Sequence, residues 1–185
     1  EIASCLVGSE MCIRDSSYPN RGIMQYAQVI NPLAVTPVWW YEYPVLRPYS
    51  GQQYLGFIRT ASGNANDDWL ISPVITPGTD NLLEFKAKAA DQYPERFMVY
   101  VTTVTDNPGP ADFTRLDTGN YESVDYTGWR DMSYDLSAYA GREIRFAIRY
   151  ISHASRNGAF MLMIDDVYVG GHRNGAEAMQ TRRVA

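Results

Sequence analysis

An antiparallel β-sandwich is the fold class this sequence predicts, and three observations carry it. Short apolar or alternating runs recur from about residue 22 onward, each ended by Pro, Gly, Asn or Asp. Two of the clearest runs alternate with period two, so each turns one face to a core. No segment sustains a 3.6-residue apolar period, so helix is scarce and a sandwich is favoured.

The elements follow in order. "MQYAQVI", "PVWWYEY" and "QYLGFIR" are weaker strand candidates near the start. "DWLISPVI" is better marked, with Trp69 and Ile71 on one face and Trp69 expected in the core. In "NLLEFKAKA", Leu83, Phe85, Ala87 and Ala89 take the core face, and Glu84, Lys86 and Lys88 the wet one. "RFMVYVTTV" is apolar on both faces, as a central strand requires. "GWRDMSYDLS" is the next strand, with Trp129 expected to pack near "DLSAYAG". That second string starts with Asp/Ser signals and stops at Gly141, which predicts one short helical turn. "REIRFAIRYIS" sends Ile144, Phe146, Ile148 and Tyr150 inward and Arg145 and Arg149 outward. "AFMLMIDDVYVG" is the last long strand. Its "FMLMI" is apolar on both faces, which places it between two neighbours, because a bare edge of that kind invites aggregation.

The chain has 185 residues, which suits one domain with loose ends. Its formal net charge is -5 and it has no basic patch, so no nucleic-acid partner is expected. No apolar run approaches the roughly 18 residues of a membrane span. Cys5 and Cys12 both lie in "CLVGSEMCIRDS", with no neighbouring Cys or His to complete a zinc site. A small disulfide loop is one reading of the pair. The other is that the string resembles translated sequencing adapter. On that reading residues 1–16 are a non-native or disordered leader, 17–170 the sandwich, and 171–185 a linker or frayed tail.

The order of "DDWLISPVI", "LLEFKAKA", "ERFMVYVTT", "DFTRL", "GWRDMSYDLSAYAGREIRFAIRY" and "FMLMIDDVYVG" resembles the cleaved-adhesin, or choice-of-anchor J, domain. The resemblance covers roughly residues 52–170, and the linked run is more specific than any motif in it. Residues 17–50 depart from the family's opening pattern, offering "PVWWYEYPVLRPYSG" instead. The resemblance implies a MAM-like jelly roll: an all-β, antiparallel two-sheet sandwich. It implies a non-catalytic adhesion or binding module of a secreted or surface-anchored bacterial protein, outside the cell or on its surface. Host protein or glycan, and other domains of a parent chain, are the partners implied. The alternative is an accessory domain that targets or stabilises a secreted peptidase or glycoside hydrolase.

Two aspartate pairs are the candidate metal ligands. Adjacent residues on a strand face opposite sides, so neither pair offers two carboxylates to one pocket for acid–base chemistry. No nucleophile elbow and no HExxH occurs, so no catalytic residue is assigned and no enzyme is expected. Hard oxygen ligands suit calcium, the one cofactor the resemblance implies. Asp165 and Asp166 would supply its strand ligands, and Asn66, Asp67 and Asp68 its loop ligands. Backbone amides and hydroxyls are the other available partners for a carboxylate inside an apolar strand. Trp39, Trp40, Tyr41 and Tyr43 are the candidate ligand-binding aromatics. Strand alternation would put Trp39 and Tyr41 on one face and Trp40 with Glu42 on the other.

Overall fold

The computed structural model describes the backbone of residues 12–14, and residues 27–60, 65–153 and 159–171 in full. Their strands form two antiparallel sheets. In sheet A the order is β1 (Cys12–Arg14), β4 (Asp68–Ile71), β10 (Arg145–Tyr150), β6 (Glu95–Thr102) and β7 (Thr114–Arg115), with β8 (Glu122–Val124) also on β6. In sheet B it is β2 (Ala27–Ile30), β3 (Tyr54–Ile58), β11 (Met161–Gly170), β5 (Leu82–Ala89) and β9 (Arg130–Asp135). From β3 to β6 the chain alternates between the sheets, and β9, β10 and β11 alternate again. This is the winding expected of a jelly roll.

Strand alternation fills the space between the sheets as expected. Leu83, Phe85 and Ala87 of β5 meet Phe97, Val99 and Val101 of β6, and Leu55 and Phe57 of β3 meet Phe146, Ile148 and Tyr150 of β10 in one buried core. Aromatic pairs cross the gap: Phe57 lies 5.7 Å from Tyr150 and Phe85 6.0 Å from Phe97. Each fully buried ring is worth about 1.5–3 kcal/mol. The final strand lies centrally, between β3 and β5. The single turn predicted in "DLSAYAG" is a 3₁₀ turn at Ser137–Tyr139, with Gly141 at φ 72° just beyond it.

β11 carries an irregularity that bears on the site. Asp165 pairs with Lys86, but Tyr168 pairs with Glu84, so β11 spends one more residue than β5 over that interval. Asp166 is the bulged residue, at φ 49°, a left-handed conformation that aspartate tolerates better than most side chains. The bulge reverses the parity of the strand. Leu162 and Ile164 face the core before it, and Val167 and Val169 after it.

Four sequence expectations need correction. "PVWWYEY" is not a strand: Trp39–Glu42 is a single helical turn, followed by a 3₁₀ turn at Pro44–Leu46. Prolines at 37, 44 and 48 remove ladder donors, and the segment instead folds onto the outer face of sheet B, where Trp39, Val45 and Leu46 pack on Met161, Met163 and Tyr54. That cover buries Lys88, so the face of β5 read as wet is wet only in part. Trp69 is a buried core residue, as expected, in a cluster separate from the one between the sheets. It sits on the outer face of sheet A with Ile71, Tyr100 and Ala147, beside Met98 and Phe113. Trp129 packs with Met161 and Val45 on sheet B, away from the Ser137–Tyr139 turn. Within the leader, Cys12–Arg14 is not disordered: it pairs with Trp69–Ile71 and covers the edge of β4 that would otherwise stand open. The rest of 1–16, and 172–185, lie outside the described residues.

Candidate ligand-binding face

The outer face of sheet B is built from alternate residues of its strands and from the 31–53 segment laid over them. β5 sends out Lys86 and Lys88, β11 sends out Met161, Met163 and Asp165, and β9 sends out Asp131. Tyr49 lies over this surface, its ring 4.4 Å from the Lys86 ammonium and 6.2 Å, edge on, from Trp129. Lys86 is also paired with Asp131. Lys88 donates to the Val45 carbonyl at 2.8 Å and lies 5.8 Å from the Trp129 ring. Burial lowers the pKa of Lys88, because the ammonium is partly removed from water.

Asp165 holds the loop that carries Tyr49. Its Oδ2 accepts the amides of Tyr49 at 2.8 Å and Ser50 at 3.2 Å, and its Oδ1 accepts the Asp166 amide at 2.7 Å. Asp165 is only 7% exposed, and burial pushes its pKa up to about 6 against the pull of those amides. Asp166 accepts the Ser50 hydroxyl. Alternation alone would turn the two carboxylates to opposite faces. The left-handed bulge overrides it, and both reach Ser50.

The other pair belongs to sheet A. Asp67 Oδ1 accepts the Trp69 indole N–H at 3.0 Å and the Arg149 guanidinium at 2.6 Å, with that guanidinium 5.1 Å over the Trp69 ring. Asp68 opens β4 opposite Tyr150. Asn66 is buried and structural: it accepts from the Thr60 amide and donates to the Ser152 carbonyl, each at 2.7 Å, tying the end of β3 to the end of β10. The two aspartate pairs are therefore on different sheets. Among the described residues no three His, Cys, Asp or Glu side chains gather as a metal would need. Asp165 faces N–H donors and Asp67 faces a guanidinium and an indole, whose positive ends repel a cation. The alternative of backbone amides and hydroxyls satisfies Asp165 without an ion. Accordingly, EDTA is expected to leave the thermal midpoint unchanged. A fall on chelation, restored by calcium and reduced in Asp166→Asn, would show a bound ion.

Of the predicted aromatics, Trp39 is half-buried against sheet B, and Trp40 carries the Arg47 guanidinium 5.6 Å over its ring. Tyr41 is 72% exposed and Tyr43 48%. Sequence reasoning placed neither Trp129 nor Lys86 and Lys88 at a site. Only the alternation of β5 hinted at the lysines. Nothing local announces that the loop ending at Tyr49 crosses β5 to meet Trp129.

No family model matches the chain, and no curated protein matches it in sequence. Solved structures do match in fold. The K2 cleaved adhesin domain of Lys-gingipain superposes with a TM-score of 0.60 at 17% identity, over 85% of this chain and 88% of that one. The K1 cleaved adhesin domain of Lys-gingipain from Porphyromonas gingivalis W83 does so with a TM-score of 0.60 at 17% identity, over 90% and 93%. TmCBM61, solved in complex with β-1,4-galactotriose, follows at a TM-score of 0.52 and 12% identity, over 89% and 90%. The order of strands along the sequence and the two-sheet architecture lead to one conclusion: this chain has the β-sandwich fold of the cleaved adhesin domains.

Proposed function

We propose that this domain is a non-catalytic module that binds glycan through the outer face of sheet B. The observation that carries the reading is the Tyr49–Trp129 pair. Two rings meet edge to face, with Tyr49 40% exposed and both rings backed by lysines already held in place. An exposed aromatic ring fits the apolar face of a pyranose, and hydroxyl, ammonium and carboxylate groups around it offer hydrogen bonds to sugar hydroxyls. Tyr41 and Tyr43, on the segment that leads to Tyr49, are exposed as well. One of the fold neighbours, TmCBM61, is described with an oligosaccharide.

The carboxylates of this region support a binding role over a catalytic one. Asp165 is buried and held by three amides, so its carboxylate is spent on holding the loop. The fold is that of the cleaved adhesin domains of Lys-gingipain, and our reading puts this module outside the cell or on its surface, attached to other domains. Among the described residues no helix is long and apolar enough to cross a membrane.

A glycan array on the isolated domain, followed by calorimetry on the best binders, tests the reading. Tyr49→Ala and Trp129→Ala are each expected to weaken binding about tenfold, since one well-placed aromatic contact is worth roughly 1 kcal/mol or more. Full affinity in both variants, with both still folded, would remove this face from the binding site.

A further inference from the structure

We propose that the binding face continues beyond Trp129 onto the adjoining end of the sandwich, where Tyr126 and Tyr93 form a second aromatic subsite, and that its ligand is an extended chain of neutral sugar units. This rests on the glycan-binding reading of sheet B and adds to it the length and charge class of the ligand.

Tyr126 and Tyr93 are each 45% exposed, although neither belongs to the segment whose aromatics drew attention in the sequence. Two backbone bonds bring their loops to the same end. The Ala89 amide donates to the Asp125 carbonyl at 3.0 Å, joining the last residue of β5 to the residue before Tyr126. The Ala90 amide donates to the Met161 carbonyl at 3.0 Å, and Met161 shares a buried cluster with Trp129. Tyr93 lies in the turn that follows Ala90 and leads into β6. Tyr126 precedes Trp129 by three residues, so at most about 10 Å of chain separates the two positions.

The loop bearing Tyr126 is held in shape. The Thr127 amide and hydroxyl both donate to Asp125 Oδ1, at 2.9 and 2.6 Å. A ring presented this way loses little freedom when a ligand stacks on it.

Charge selects the class of chain. The cations flanking Tyr49 and Trp129 are already engaged. Lys86 pairs with Asp131, Lys88 bonds the Val45 carbonyl, Arg47 bonds the Trp40 carbonyl, and Arg130 bonds the Ser123 carbonyl beside Glu122. Arg59 follows β3, two strands across the sheet from β5, roughly 10 Å away. The loops of the second subsite bring the carboxylates of Asp91 and Asp125 instead. An acidic polysaccharide meets carboxylates there, and a neutral one meets tyrosine rings and acceptors for its hydroxyls.

Calorimetry with cello-, xylo- and galacto-oligosaccharides of two and six units, and with hexagalacturonate, decides the matter. For the chain type that binds, the wild type is expected to hold the hexasaccharide at least tenfold more tightly than the disaccharide. The double variant Tyr93→Ala, Tyr126→Ala should lose that advantage while keeping disaccharide affinity. Trp129→Ala should weaken both lengths. Equal affinity for both lengths in the wild type, or an unchanged length advantage in the double variant, overturns the second subsite and leaves the Tyr49–Trp129 reading standing. Hexagalacturonate binding as tightly as the neutral hexamer overturns the neutral assignment. No binding of any of these sugars, or a Trp129→Ala variant that binds as the wild type does, overturns the glycan-binding reading itself and the extension with it.

Discussion

Replacing Glu95 by alanine is expected to lower the stability of this domain by about 3–5 kcal/mol, more than any surface substitution discussed above. Glu95 opens β6 and is 0% exposed. Its Oε2 accepts the Tyr150 hydroxyl at 2.8 Å, and its Oε1 accepts the Phe160 amide at 2.6 Å. One side chain therefore joins β6 to the end of β10 and to the segment entering β11, across both sheets. Burial raises the pKa of this carboxyl, and the hydrogen bonds only partly offset it. Alanine would leave a buried hydroxyl and a buried amide without their acceptor, and a cavity besides. Glutamine keeps the shape and one acceptor, so Glu95→Gln should cost markedly less. Denaturant unfolding of the three proteins measures this. A loss below about 1 kcal/mol in the alanine variant would show that the network does not hold the sheets together.

The second large effect is on the pH dependence of stability. The thermal midpoint is expected to be highest near pH 4 and to fall toward pH 7. Asp165 has its pKa raised from 3.8 to about 6, chiefly by burial. The folded protein therefore binds this proton more tightly than the unfolded chain does. The stability it contributes is fully present below about pH 4 and is lost as pH rises through about 6. The difference corresponds to at most about 3 kcal/mol, or on the order of 5–10 °C for a domain of this size. Glu95 is shifted in the same direction, so it adds to the effect. On the acid side the signs reverse. The Thr127 and Ser137 hydrogen bonds hold Asp125 and Asp135 below their ordinary values, and the stability these groups contribute is lost as pH falls below about 4. Asp165→Asn keeps an oxygen for the Tyr49 and Ser50 amides but has no proton to lose. It should flatten the decline between pH 4 and 7 by half or more. An equal decline in the variant and the wild type would mean that Asp165 is not the group that titrates.

Much of the fold was legible because strands write their burial directly into the sequence. The alternation of Leu83, Phe85, Ala87 and Ala89, and the two-sided apolar character of "FMLMI", correctly assigned a half-covered strand and a central one. The "PVWWYEY" run misled because aromatic and β-branched residues suit a strand wherever they occur. Their actual place was decided by the apolar outer face of β11, which needed a cover, and by the prolines around them. The site was less legible than the fold for a related reason. Tyr49 and Trp129 are eighty residues apart, and each looks locally like an ordinary packing residue.

The sequence by itself determined the all-β class, the order and faces of the principal strands, the central position of the last one, and the presence of a costly carboxylate within it. Those properties follow from local chemistry, namely period, turn residues and charge. Only the tertiary structure decided what satisfies that carboxylate, which loop covers sheet B, and which aromatics meet. A one-residue bulge at Asp166 turns two carboxylates that alternation would separate toward a single loop. That outcome depends on register between β11 and β5, and register is a relation between strands that neither strand carries alone.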